Sequence, residues 1–146
     1  EVNLMGVVHC CEAILPHMKK RRYGKIVNIA SMAGHAPRLR GGAYAASKAA
    51  VLRYTKGLAH DVASMNLNTN AVCPGAVWTA FQQSASDRDE RTSYEAFLER
   101  YKSVIPMGRP QSTEDVGKAV AFLASDDARN ITGQCLHVDG GAILRD

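Results

Sequence analysis

Tyr44 and Lys48 lie one helical turn apart in Tyr44-Ala45-Ala46-Ser47-Lys48, and Ser31 precedes Tyr44 by thirteen residues. On a helix, positions i and i+4 share a face, so this spacing holds a phenol and an ammonium in one small volume. A free phenol titrates near ~10, and a neighbouring cation favours its ionised form. Lowering it by about three units takes roughly 4 kcal/mol, a load that an ammonium in a dry pocket can carry in part. Tyr44 is therefore expected to exchange a proton with a reacting oxygen near neutral pH.

Three further elements must place that pair. Lys25-Ile26-Val27-Asn28-Ile29-Ala30 is a short apolar run that reads as a buried parallel strand, and Ser31 falls where it ends. Ligands of open α/β sheets bind at that edge. Upstream, Asn3 heads a helical pattern whose apolar positions Leu4, Val7, Val8, Cys11, Leu15 and Met18 follow the 3.6-residue period, predicting a helix from about Asn3 to Met18. Downstream, Asn70 to Thr79 reads as a strand broken by Pro74-Gly75 and followed by a loop.

Together these residues resemble the short-chain dehydrogenase/reductase family over essentially the whole chain. The resemblance implies a catalytic group of Ser31, Tyr44 and Lys48, completed by Asn3. It also implies a cofactor-binding set of Tyr44, Lys48, Pro74, Gly75, Val77 and Thr79 that closes over a nicotinamide. Pro106-Met107-Gly108-Arg109-Pro110, and Thr132-Gly133-Gln134 leading into Val138-Asp139-Gly140-Gly141, look like the family's ending. The expected fold is α/β, a doubly wound Rossmann-type parallel sheet, with residues 1–146 forming part of a single domain. The implied cofactor is NAD or NADP, and the implied reaction is hydride transfer to or from a secondary alcohol or ketone of polyol, sugar or 3-oxoacyl type. In it Tyr44 exchanges the proton, Ser31 binds the same oxygen, Lys48 supports Tyr44 and the nicotinamide ribose, and Asn3 positions a relaying water. A nucleotide-binding sensor or scaffold without turnover is the alternative.

The family's glycine-rich phosphate loop, of the Thr-Gly-x-x-x-Gly-x-Gly kind, does not occur in the sequence. By resemblance, roughly a hundred residues forming the amino-terminal half of the domain precede Glu1. The 146 residues alone are then expected to expose sheet edge and apolar helix faces, and to fold poorly.

A formal charge of +4 gathers in Lys19-Lys20-Arg21-Arg22 and Arg38-Leu39-Arg40. The first cluster follows a helix, where cations complement the dipole, and neither has the interleaved aromatics of a nucleic-acid platform. No nucleic-acid partner and no membrane attachment are expected, since no apolar run reaches spanning length. Cys10, Cys11, Cys73 and Cys135 lack paired spacing, and the five histidines do not group with acids at ligand spacing. No metal is expected, and the cysteines read as small hydrophobes in a reducing, cytoplasmic setting. His35 borders the substrate in one reading and is an exposed loop histidine in the other.

Between Thr79 and Val104 the chain turns polar at Ser84–Arg91, then regains helical spacing at Tyr94, Phe97, Leu98 and Tyr101, as expected of a substrate lid. Trp78 is either a substrate-facing wall or packing against that lid. Ser112 to Asp115 predicts a capped helix with Val116, Ala119, Val120 and Leu123 on one stripe. The alanine-rich helix after Gly42 presents a small-residue surface, and the family uses it with the Asn3 helix as a subunit interface. A homodimer or homotetramer follows. Asn66 stands where the family carries Gly and can take the same left-handed turn.

Overall fold

The computed structural model describes residues 2–36, 41–80 and 93–144. Its central strand, β2 (Leu67–Pro74), is buried along nearly its whole length. β1 (Gly24–Ile29) and β3 (Cys135–Val138) flank it in parallel, giving the order β1-β2-β3. The register pairs Ile26 with Thr69, Ile29 with Val72, and Cys73 with His137. Parallel neighbours require crossover connections, and helices supply them here.

Side-chain alternation along the strands assigns the helices to opposite faces. Ile26 and Leu67 cluster with Cys11 and Leu15 of α1 (Val2–Arg21) and with Leu58 and Val62 of α2 (Gly42–Val62). Ala71 and Cys73 on the same face meet Val51 and Leu52 of α2. Val72 points the other way, against Leu123 of α4 (Thr113–Ala124) and Ala128. Each fully buried Val or Leu in these clusters contributes on the order of 1.5–3 kcal/mol. This layering of helix, parallel sheet and helix is the α/β arrangement expected. A satellite cluster of Ala76, Phe97 and Ile105, with Trp78, Leu98 and Tyr101 around it, lies beneath α3 (Tyr94–Lys102).

Three elements differ in their boundaries from the sequence expectation. α1 continues past Met18, so Lys19, Lys20 and Arg21 form its last turn rather than following it, and Pro16 lies within it. β1 opens at Gly24, one residue early, and closes at Ile29, one residue before Ala30. β2 starts at Leu67, three residues before Asn70: Asn68 looks like a loop residue yet, like Asn70, is buried with its amide bonded. Asn68 Nδ2 donates to the carbonyls of Arg129 and Ile131, and Asn70 Nδ2 to that of Ile131 at 2.8 Å. Asn70 Oδ1 accepts from the Gln134 amide at 3.0 Å. This network fastens the segment before β3 to the amino-terminal half of β2.

Asn66 adopts the left-handed conformation anticipated for it, with φ 61° and ψ 38°. Its side chain donates to the Arg22 carbonyl, and the Arg22 guanidinium donates back to the Ser64 carbonyl, so the turns entering β1 and β2 are clasped together. The capped helix predicted at Ser112 is α4. Ser112 Oγ accepts from the Asp115 amide at 3.1 Å, and Asp115 Oδ2 accepts from the Ser112 amide at 2.9 Å. The Ser112 amide, and then the Ser112 side chain, hold the Asp115 carboxyl below the usual carboxylate range. Among the described residues no helix is long and apolar enough to cross a membrane. The Arg38-Leu39-Arg40 cluster, the polar stretch Ser84–Arg91 and most of the connection before α3 lie outside the described residues.

Candidate active site

The carboxyl-terminal edge of the sheet opens into a cleft of about 540 Å³ lined by Ser31, Tyr44, Lys48, Pro74, Gly75, Val77 and Thr79. Each arrives there for a local reason. Ser31 is the first residue after the buried Ala30 and caps a short 3-10 turn (Met32–Gly34), its Oγ accepting from the Ala33 amide at 3.1 Å. That turn lies against α2 because Gly34 has no Cβ. One built there would come within 2.9 Å of the Ala49 nitrogen and of Leu52. The contact sets the distance between Ser31 and the helix that carries Tyr44 and Lys48.

Tyr44 stands in the first turn of α2 and is 43% exposed at the mouth of the cleft. The Lys48 ammonium lies 5.9 Å from the Tyr44 ring centroid and donates to the Ile29 carbonyl at 2.9 Å. Burial pushes the Lys48 ammonium below the usual lysine range, as removal of a cation from water must. No hydrogen bond joins Ser31 to Tyr44; the two groups line the same space. Asn3 stands outside the cleft lining. Its side-chain amide donates to Ser47 Oγ at 3.3 Å, and Ser47 Oγ donates to the Tyr44 carbonyl at 2.7 Å, which ties α1 to the turn bearing Tyr44 and Lys48.

The opposite wall is the Pro74–Thr79 segment. The Gly75 amide donates to the Val138 carbonyl at 2.9 Å, extending the β2–β3 ladder. A Cβ on Gly75 would fall 2.5 Å from Gln111 Oε1 and 2.8 Å from the Asp139 Cα, so only glycine fits between them. Val77 forms an isolated parallel bridge with Gln111, and the Gln111 amide donates to the Ala76 carbonyl at 3.0 Å.

Some participants escape sequence reasoning. Gln111 supports the loop but lies in a segment without periodicity, while Tyr101, Thr113 and Val116 reach the cleft from α3 and α4. Only their amphipathic stripes hinted that one face of each would be covered. Trp78 does not line this cleft; its ring packs on Phe97 and Tyr94, with centroids at 5.0 and 5.7 Å. His35 follows the Ser31 turn and tilts against His137, centroids 4.8 Å apart.

The sequence profile described as enoyl-(acyl carrier protein) reductase matches residues 1–142. A solved oxidoreductase of the short-chain dehydrogenase/reductase family from Burkholderia thailandensis is 35% identical and superposes with a TM-score of 0.87. The match covers 96% of this chain and 53% of that one. The chain belongs to the short-chain dehydrogenase/reductase family. Within the family it is 39% identical to the 3-oxoacyl-[acyl-carrier-protein] reductase FabG of Haemophilus influenzae, over 99% of this chain and 56% of that protein. A gluconate 5-dehydrogenase from Burkholderia cenocepacia, solved with NADP and tartrate, is 35% identical with a TM-score of 0.86, covering 97% of this chain and 53% of that one. The chain thus spans about half the length of the relatives it matches.

Proposed function

We propose that this chain carries the proton-handling part of an NAD(P)-dependent oxidoreductase that interconverts a secondary alcohol and a ketone. The supporting observation is the convergence of Ser31, Tyr44 and Lys48 on one cleft whose far wall is the Pro74–Thr79 segment. Three features of the cleft suit a nicotinamide nucleoside: the Lys48 ammonium and Thr79 hydroxyl as polar contacts, apolar walls from Ile29, Ala30, Val77 and Val116, and an open carboxyl edge of parallel strands. When bound, the nicotinamide donates or accepts the hydride.

The chain's own residues handle the oxygen. In reduction the Tyr44 hydroxyl gives its proton to the carbonyl oxygen as negative charge develops there, and in oxidation it takes the proton from the alcohol. The Ser31 hydroxyl donates a second hydrogen bond to the same oxygen, letting go of its local role as acceptor from Ala33 no further than rotation of the O–H requires. Lys48 stabilises the phenolate left on Tyr44. Asn3 is a positioning residue that acts through Ser47 on the turn carrying both groups.

The likeness to 3-oxoacyl carrier-protein reductases favours a 3-oxoacyl thioester as substrate, with polyols and sugar acids next. The NADP-bound neighbour favours NADPH as the reductant. The intact protein works in the cytoplasm as a homodimer or homotetramer that pairs through α1 and α2, where Met5 and Ile14 face outward at 41% and 40% exposure. The test follows nicotinamide absorbance when intact protein meets 3-oxoacyl thioesters, polyols and sugar acids with each cofactor. Turnover that Tyr44→Phe abolishes is expected. Cofactor binding without turnover on any of the panel would overturn the proposal and leave a nucleotide-binding scaffold.

A further inference from the structure

Behind Ser31, on the α2 side of the sheet, three side chains with metal-ligating atoms meet. His35, Cys73 and His137 each direct one such atom into a group whose members all lie within 4.8 Å of one another. They come from three elements that the fold fixes independently. Cys73 and His137 are direct partners in the β2–β3 register, so their side chains share a face. His35 arrives from the turn after β1 and tilts against the His137 ring.

We propose that His35, Cys73 and His137 form a zinc site that pins the Ser31 turn to the end of the sheet. One thiolate with two imidazoles is a donor set that suits zinc among the common divalent metals, and imidazole and thiolate ligands surround it at about 2.0–2.3 Å. In a tetrahedron of that size the ligand atoms are about 3.3–3.8 Å apart. The observed spacing needs only a modest closing movement by the side chains.

The surroundings of His137 favour a metal. Its Nδ1 lies 3.3 Å from Asp139 Oδ2, and a carboxylate can only accept, so the proton sits on Nδ1 and the Nε2 lone pair is left for a cation. Asp139 is itself held by the Gly141 and Ile143 amides at 3.0 and 3.1 Å. A fixed carboxylate behind a histidine is the arrangement that orients imidazole ligands in zinc proteins. With the Cys73 thiolate and the Asp139 carboxylate, the two positive charges of the ion are balanced.

The hydrogen bond to the Cys135 sulfur beside it, and then burial, push the Cys73 thiol above the usual cysteine range. Zinc would displace that proton to solvent and form the Zn–S bond in its place. A water completes the shell, and Cys135 is then able to donate its S–H to the Cys73 sulfur. Such an ion ties the turn that begins at Ser31 to β2 and β3, so it stabilises the cleft wall without touching the reacting oxygen.

The test uses the intact protein in a phosphine-reduced buffer, so no added thiol competes, with Zn²⁺ or Co²⁺ as the only probe. Expected are one zinc per chain and a tetrahedral cobalt spectrum bearing a thiolate charge-transfer band. Cys73→Ser removes that band. His35→Asn weakens zinc binding at least about tenfold, Asp139→Asn by about 10–100-fold, and Cys10→Ser leaves it unchanged. The His35 variant alters a half-buried turn, so it remains informative should the Cys73 variant fail to fold. Substoichiometric zinc at saturation, an octahedral cobalt spectrum, or a thiolate band that survives in Cys73→Ser would each overturn the proposal. All readouts are independent of turnover, so an inactive protein still decides the question.

Discussion

The two ends of β2 are built to opposite rules. At its amino-terminal end, buried Asn68 and Asn70 bond backbone groups of residues 129–134, sharing the Ile131 carbonyl, and the Thr69 amide and carbonyl are bonded to Thr132 and Gly133. At its carboxyl-terminal end, the polar side chains line open space, and the Tyr44 hydroxyl meets no partner among the described residues. A polar network this dense fixes one geometry, and of its buried side-chain atoms Thr69 Oγ1 is the one left without a partner among the described residues. Groups left short of partners at a cleft are costly to fold around and available to bind. The contrast separates scaffold from site along a single strand.

The largest expected effect lies at the open end. Tyr44→Phe in the intact protein should lower kcat by about 10²–10⁴-fold while the denaturant midpoint stays where it was, because the ring is half-exposed and its hydroxyl holds nothing in the fold. A midpoint that fell along with the rate would erase the distinction between the ends. Asn70→Leu probes the closed end. It leaves the part-buried Gln134 amide without its acceptor and the Ile131 carbonyl with Asn68 alone, for a loss of about 1–3 kcal/mol in chemical denaturation, with kcat per folded molecule retained.

Gly75→Ala falls between the two. Its added methyl must displace Gln111 or the Asp139 backbone, costing about 1–3 kcal/mol, and should raise KM for the cofactor as well, since Gly75 lines the cleft. Ser112→Ala removes a cap remote from both ends and should cost about 1 kcal/mol with no kinetic change.

The smallest effect is one of pH. The Asp115 carboxyl is held down in the folded protein by the Ser112 amide. Its stabilising contribution is therefore complete above the unfolded carboxylate value of about 3.9 and fades as pH falls through the lower folded value. Denaturant midpoints of the wild type and Asp115→Asn should differ at neutral pH and converge in acid. A difference that widened in acid would reverse the sign of this account.

Much of the site was legible because its chemistry sits on short-range signals. The one-turn spacing of Tyr44 and Lys48, the strand ending at Ser31, the Pro74-Gly75 break and the Ser112 cap each depend on neighbours a few residues away. The hidden parts are long-range. The start of β2 was obscured because Asn68 is polar, and its backbone partners lie some sixty residues on. The approach of His35 to Cys73 and His137 follows from strand register, which spacing along one chain does not encode. Asn3 was placed on the correct helix, but its contact with Ser47 depends on how α1 crosses α2.

One hydrogen bond has a wider reach than its length suggests. Alternate residues of a parallel strand turn both backbone groups to the same side, and the Ala30 amide bonds to Val72 of β2, so the Ile29 carbonyl points away from the sheet. That carbonyl is where the Lys48 ammonium rests. A strand that docked beside β1 and took that oxygen into its ladder would release the lysine from its berth. Pairing at that edge and the place of the charge beside Tyr44 would then be coupled.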